Sequence, residues 1–120
     1  ARLTDAGVAV AVLRDTPWPG RDMAACVGQN RDDPAACDVT RDALDATKYD
    51  VGMVKGVERA AALDLSDLIC DADRCPATRG KYLVYRDTDH LTATFARALA
   101  PYLEQRLRPL VRAAAGLSPQ

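Results

Sequence analysis

Histidine, asparagine, phenylalanine and tryptophan each occur once in this 120-residue chain, and serine occurs twice. That scarcity narrows the available chemistry before any fold is considered. A serine-type hydrolytic site would have to draw on Ser66 or Ser118, and Ser66, in DLSDLI, lacks the glycine-flanked tight turn that exposes a nucleophilic hydroxyl. No glycine-rich phosphate loop is present. No apolar run approaches the roughly 20 residues needed to span a membrane. The first residues, ARLTD, lack the apolar core of a signal peptide. There is no acidic tail or low-complexity tract. Sixteen Lys and Arg stand against 17 Asp and Glu, a formal net charge of −1 with no basic stripe, so nucleic acid is not an expected partner.

What the chain does contain reads as alternating strands and helices. ARLTDAG has the form of a last helical turn stopped by Gly7, as though the chain opens in the middle of an element of a longer protein. VAVAVL (8–13) reads as a strand buried on both faces, as in a parallel sheet with helices on either side. The RDTPWPG segment after it would lie at the carboxyl end of that strand, where open α/β sheets border their ligand crevice. Asp15 and Trp18 are therefore candidates for a place near a site, or else anchors of the loop. A short helix is expected over 22–27, then turn material to residue 41. From 42 to 62 the pattern is mostly helical in two pieces, with Tyr49, Met53, Val54 and Val57 on one apolar face. A second strand follows at 60–65 and a third at KYLVY (81–85), an order that argues for an α/β layered sheet. Leu91, Phe95, Leu99, Tyr102, Leu103 and Leu107 trace one face of a closing helix, capped by Thr92 or Thr88. Pro101 predicts a kink or restart near Ala100, and the tail AAAGLSPQ is expected to fray.

The four cysteines form two local pairs, Cys26 with Cys37 and Cys70 with Cys75, each across a polar, turn-rich interval. Sequential pairing closes the two smallest of the possible loops. The polar surroundings favour disulfides over buried thiols, and Cys-x4-Cys is a loose fit to zinc. Two disulfides imply an oxidising compartment.

The most informative stretch is YRDTDHLTATFARALAPYL (85–103), which holds the only histidine, His90, with Asp87 three residues before it. At a strand-to-helix joint, Asp87 can bend back to the near ring nitrogen and leave the far nitrogen free to take a proton from a hydroxyl. Spacing alone does not distinguish a catalytic from a structural histidine, and Asp89 competes as partner. Adjacent side chains diverge, however, so Asp89 is expected instead to favour the helix N-terminus. Ser66 is expected to cap residues 67–70, and Asn30 lies inside the first cysteine loop, so oxyanion donors are scarce.

Three features together resemble the C-terminal half of an SGNH domain, the GDSL-like hydrolase and acyltransferase group, in the form fused to bacterial acyltransferase-3 membrane proteins. They are DTPWPG with Cys26 just beyond it, LDLSDLIC leading to Cys75-Pro76, and the block around Asp87 and His90. The resemblance implies a flavodoxin-like three-layer α/β/α sandwich of which residues 1–120 form the C-terminal part. His90 would be the general base and Asp87 its orienting partner. The nucleophilic serine and most oxyanion donors would lie in an N-terminal portion of the same domain, outside this chain. The implied activity is O-acyl transfer or ester hydrolysis through an acyl-serine, without cofactor or metal. The acyl donor would be delivered by a membrane acyltransferase domain to a sugar hydroxyl of a cell-envelope glycan or glycolipid, at the extracytoplasmic face. The alternative is a non-catalytic, disulfide-stapled module that binds glycan or protein, with Trp18, Tyr49 and Tyr82 as stacking residues.

Overall fold

The computed structural model describes residues 2–47 and 52–116. Tyr49 and Ser118 lie outside them. A first helix, α1 (Arg2–Asp5), ends where Gly7 adopts φ 84°. There the Val8 amide donates to Leu3 O and the Gly7 amide to Thr4 O, the paired bonds by which a left-handed residue closes a helix. The stop read from the sequence is thus made by backbone geometry only glycine adopts without strain.

Strand β1 (Val10–Leu13) follows and pairs in parallel with β3 (Ala60–Leu63), in register Val10↔Ala60 through Leu13↔Leu63. Between them come α2 (Met23–Gln29), a 3-10 turn (Pro34–Cys37), β2 (Val39–Thr40) and α3 (Asp42–Asp45). After β3 come α4 (Ser66–Ile69), β4 (Arg74–Cys75), β5 (Thr78–Arg79), β6 (Tyr82–Leu83) and the long α5 (Ala93–Ala114). The mixture is α/β, with a parallel pair as the sequence pattern requires.

Several expectations are corrected. β1 is not buried on both faces: its residues alternate between half-buried and exposed, and Leu13 is 46 % exposed. Its one strand neighbour among the described residues is β3, and an apolar space of about 640 Å³ separates this pair from Leu107, Leu110 and Val111 of α5. The third strand is shorter than KYLVY and does not join the parallel pair. β6 instead folds back antiparallel on β5 through a Gly80-Lys81 turn in which Gly80 has φ 57°. The interval between Cys70 and Cys75 is more than a turn, since β4 pairs antiparallel with β2. The first piece of the helical pattern expected from residue 42 is a single turn, and part of the second lies outside the described residues; on the apolar face drawn there Met53 is 78 % exposed while Val54 and Val57 are half-buried. α5 continues through Pro101 and Pro109 without a restart. Each proline removes one amide donor, and the other bonds of a 22-residue helix carry the span across it. Ala113 and Ala114, assigned to the tail, complete that helix.

The core is small and sits at one end of α5. Met23, Leu44, Ile69, Val84, Tyr85, Phe95 and Leu99 pack with the disulfide sulfurs. Cys26–Cys37 and Cys70–Cys75 are both bonded, and Cys37, Cys70 and Cys75 are buried. The Tyr82 and Phe95 rings meet edge to face with centroids 6.0 Å apart. Two arginines tie the strand ends to the helices. Arg14 donates to Thr47 Oγ1 (3.1 Å), Asp64 Oδ2 (3.1 Å) and Leu44 O (3.0 Å). Arg106 on α5 grips both carboxylate oxygens of Asp67 at 2.8 Å and the carbonyl of Asp64 at 2.6 Å. Arg106 holds the Asp67 carboxyl below its ordinary range. For Asp64, burial pushes upward, but hydrogen bonds from Ser66 and the pairing with Arg14 outweigh it.

Candidate active site

The residues after β6 build a loop that places Asp87 and His90 from both sides. Val84 and Tyr85 are fully buried, and Tyr85 bridges Leu91 in antiparallel fashion. The Arg86 amide donates to His90 O at 2.8 Å, and the Thr92 amide donates to Val84 O at 2.9 Å. Thr92 then does two jobs. Its hydroxyl donates to Leu83 O (2.6 Å) and accepts from the Phe95 amide (3.2 Å), so it is the N-cap of α5 and also a brace across the neck of the loop.

Inside that neck the Asp87 carboxylate folds back on its own loop. Oδ1 accepts from the amides of His90 (2.8 Å) and Asp89 (3.1 Å). The imidazole Nδ1 lies 3.0 Å from each Asp87 oxygen. The two backbone donors come first, and with the His90 side chain they hold the Asp87 carboxyl far below its ordinary range. Arg86 Nε adds an ion pair to Oδ2 at 3.6 Å. A carboxylate on Nδ1 puts the ring proton there and leaves Nε2 as the acceptor. No hydrogen bond to Nε2 is made among the described residues, and the His90 side chain is 63 % exposed. Chemically this is an oriented base open to an incoming hydroxyl.

Asp89 behaves differently from expectation. Its side chain does not diverge toward the helix: Oδ1 also stands 3.0 Å from Nδ1 and accepts from the Thr88 hydroxyl at 3.3 Å. The tight curl of the loop brings both carboxylates to one ring nitrogen, and Thr92 caps α5 unaided. Ser66 is corrected as well. It does not cap α4: its amide donates to Asp64 Oδ1 at 2.8 Å, and no side-chain bond caps that turn. Ser66 makes no hydrogen bond to the His90 loop among the described residues. Asn30 is spent inside the first disulfide loop, donating to Cys26 O at 2.8 Å.

The structure brings DTPWPG and the start of α2 to this loop by three bonds that sequence reading did not foresee. The Thr16 hydroxyl donates to Asp89 O (2.9 Å), the Gly20 amide to Thr88 O (3.3 Å) and the Met23 amide to Asp87 O (3.3 Å). Asp15 organises the segment, accepting from the Thr16 amide (2.8 Å) and from Trp18 Nε1 (3.1 Å). A threonine before a proline carries no mark of a bond to a residue 73 positions away, so no local signal could have found Thr16.

Comparison with known families gives one result. The family model described as SGNH domain (fused to AT3 domains) matches residues 1–105. No curated protein and no solved structure matches the chain.

Proposed function

The chain belongs to the family of SGNH domains fused to AT3 domains, and we propose that it supplies the base half of a serine acyl-transfer site, with His90 as general base and Asp87 as its orienting partner. One observation carries this reading: Nδ1 of His90 lies 3.0 Å from both oxygens of Asp87, in a loop whose own amides fix the carboxylate. In the proposed cycle, Nε2 takes the proton of a serine hydroxyl as its oxygen attacks the acyl carbonyl. The imidazolium, stabilised by Asp87, returns that proton to the departing group, leaving an acyl-serine. A sugar hydroxyl or water then repeats the step, losing its proton to Nε2 and taking the acyl group, while the imidazolium reprotonates the serine.

The Ser66 side chain is hydrogen-bonded to Asp64 and makes no bond to the His90 loop among the described residues, so the serine is assigned to a portion of the same three-layer α/β/α sandwich outside these 120 residues. The acyl donor is assigned to the partner AT3 domain, and the acceptor to a hydroxyl of a cell-envelope glycan or glycolipid. No helix among the described residues is long and apolar enough to cross a membrane. Two disulfides support an extracytoplasmic site for the domain, tethered through that partner.

The test is ester hydrolysis by the full-length protein. His90→Ala and Asp87→Asn are expected to lower turnover by about 10³-fold or more, as for other members of such dyads. Wild-type turnover in His90→Ala would return the chain to the binding-module alternative.

A further inference from the structure

The DTPWPG segment that is bonded to the His90 loop also lines a cleft of about 470 Å³, of which the acid–base pair forms no part. Trp18, Arg21, Asp38, Thr40 and Asp42 line it. We propose that this cleft is the acceptor subsite, and that Trp18 is the platform on which the ring of a neutral sugar stacks. The assignment rests on the acyl-transfer reading above and names where the acceptor binds.

Three observations carry it. First, Trp18 is the chain's only tryptophan and is 49 % exposed, yet it is held rigidly. Its neighbour Pro17 is fully buried, its amide donates to Ala43 O at 2.8 Å, and its Nε1 donates to Asp15 at 3.1 Å. The polar edge of the indole is thereby satisfied within the protein, while half of its surface stays open. An aromatic plane fixed before binding loses little freedom on contact with a flat ligand.

Second, the segment carrying Trp18 is strapped to the catalytic loop on both sides of the ring. Thr16 bonds Asp89 O and Gly20 bonds Thr88 O, the two residues that directly precede His90. A ligand resting on Trp18 would therefore be held by a segment that is itself hydrogen-bonded to the loop of the base.

Third, the facing wall suits hydroxyls. Thr40 and Asp42 share a hydroxyl–carboxylate bond at 3.3 Å, and both side chains have further accepting capacity. Asp38 is fixed by the Ala77 amide (2.9 Å) and Arg74 (3.3 Å). Arg21 is oriented by Cys37 O (2.7 Å). A pocket of this volume with one aromatic face and a few converging polar groups is of a size and character to take a small ligand. Arg21 in the lining and Arg74 on Asp38 balance the carboxylates Asp38 and Asp42, which suits a neutral sugar.

The experiment uses the full-length protein and two readouts: hydrolysis of a p-nitrophenyl acyl ester in water, and acceleration of acyl turnover by a panel of methyl hexosides and N-acetylhexosamine. Trp18→Ala is expected to raise the KM for the accelerating sugar about tenfold, the factor for losing roughly 1.4 kcal/mol of stacking. Hydrolysis in water should fall by less than the sugar-accelerated turnover. Trp18→Tyr should restore most of the sugar KM. An unchanged sugar KM in Trp18→Ala overturns the assignment. So does an equal fall of both activities in the alanine and tyrosine variants, and so does the absence of acceleration by any sugar of the panel. Failure of the acyl-transfer reading is seen separately, as ester hydrolysis that survives His90→Ala.

Discussion

Removing the Cys26–Cys37 bond should open the excursion that carries one wall of the cleft. The cysteines are 11 residues apart, so the bond closes a loop of 12 residues. Chain entropy for a loop of that length corresponds to about 2.8 kcal/mol at 25 °C. Cys70 and Cys75, 5 residues apart, close a loop of 6 residues, which corresponds to about 2.2 kcal/mol. The segment's other ties, which are β2 on β4, Asp38 on the Ala77 amide and Arg74, and Met23 in the core, are the same with and without the crosslink. Local opening should therefore become easier by nearly the whole entropic amount. In a Cys26→Ala/Cys37→Ala double variant of the full-length protein, 2.8 kcal/mol corresponds to about a 100-fold loss of amide protection over residues 23–40. Hydrogen exchange read by mass spectrometry on peptides from that segment measures it. The amides of α5, capped by Thr92 and anchored by Arg106, should change far less. Protection over 23–40 within about threefold of wild type would refute the reasoning, because the segment would then be held by contacts rather than by the crosslink.

Tyr85 is fully buried, and its hydroxyl has no hydrogen-bond partner among the described residues. Burial pushes its ionisation upward from the ordinary value of 10, with the Arg79 charge opposing. Tyr85→Phe should then raise stability by about 1 kcal/mol, read as a higher unfolding temperature, and a loss of that size would instead reveal a bonded hydroxyl. Asp87 makes stability of the His90 loop depend on acid. Its folded ionisation is depressed, so its contribution is complete above its ordinary value of about 3.8 and is lost as pH falls through the lower folded value. Loop protection, corrected for intrinsic exchange, should be flat down to about pH 5 and fall below about pH 4, with a shallower fall in Asp87→Asn. Identical profiles for the two proteins would remove Asp87 as the cause.

The parts of this structure legible in the sequence are those made within a few residues of chain. Gly7 stops α1 because the two closing bonds span Leu3 to Val8, and Thr92 caps α5 because its acceptor meets an amide three residues on. Asp87 and His90 belong to the same class: four residues, closed by their own amides, define the pair whatever surrounds it. What the sequence does not mark are bonds chosen by tertiary context. The strands past residue 38 are so short that pairing partners cannot be read from alternation, which is why β6 turns back on β5 instead of extending the parallel pair. Asp64, which Arg14 fixes from β1's end, takes the amide of Ser66 itself, and no side-chain bond caps α4 where Ser66 was expected to cap residues 67–70. Arg14 and Arg106 make three hydrogen bonds each across more than 25 residues, and no local pattern announces such hubs.

The same division runs through the proposed site. A base and its orienting carboxylate can be contiguous, since the proton to be moved is one atom wide. An acceptor ring needs two walls, and here they come from residues 18–21 and 38–43, which only folding brings together. The Thr16 and Gly20 bonds to residues 88 and 89 are what convert these separate stretches into one surface. In this chain the part proposed to move the proton is therefore written in one loop. The part proposed to choose the acceptor is distributed over the excursion that the first disulfide pins, where residues can change without touching the dyad.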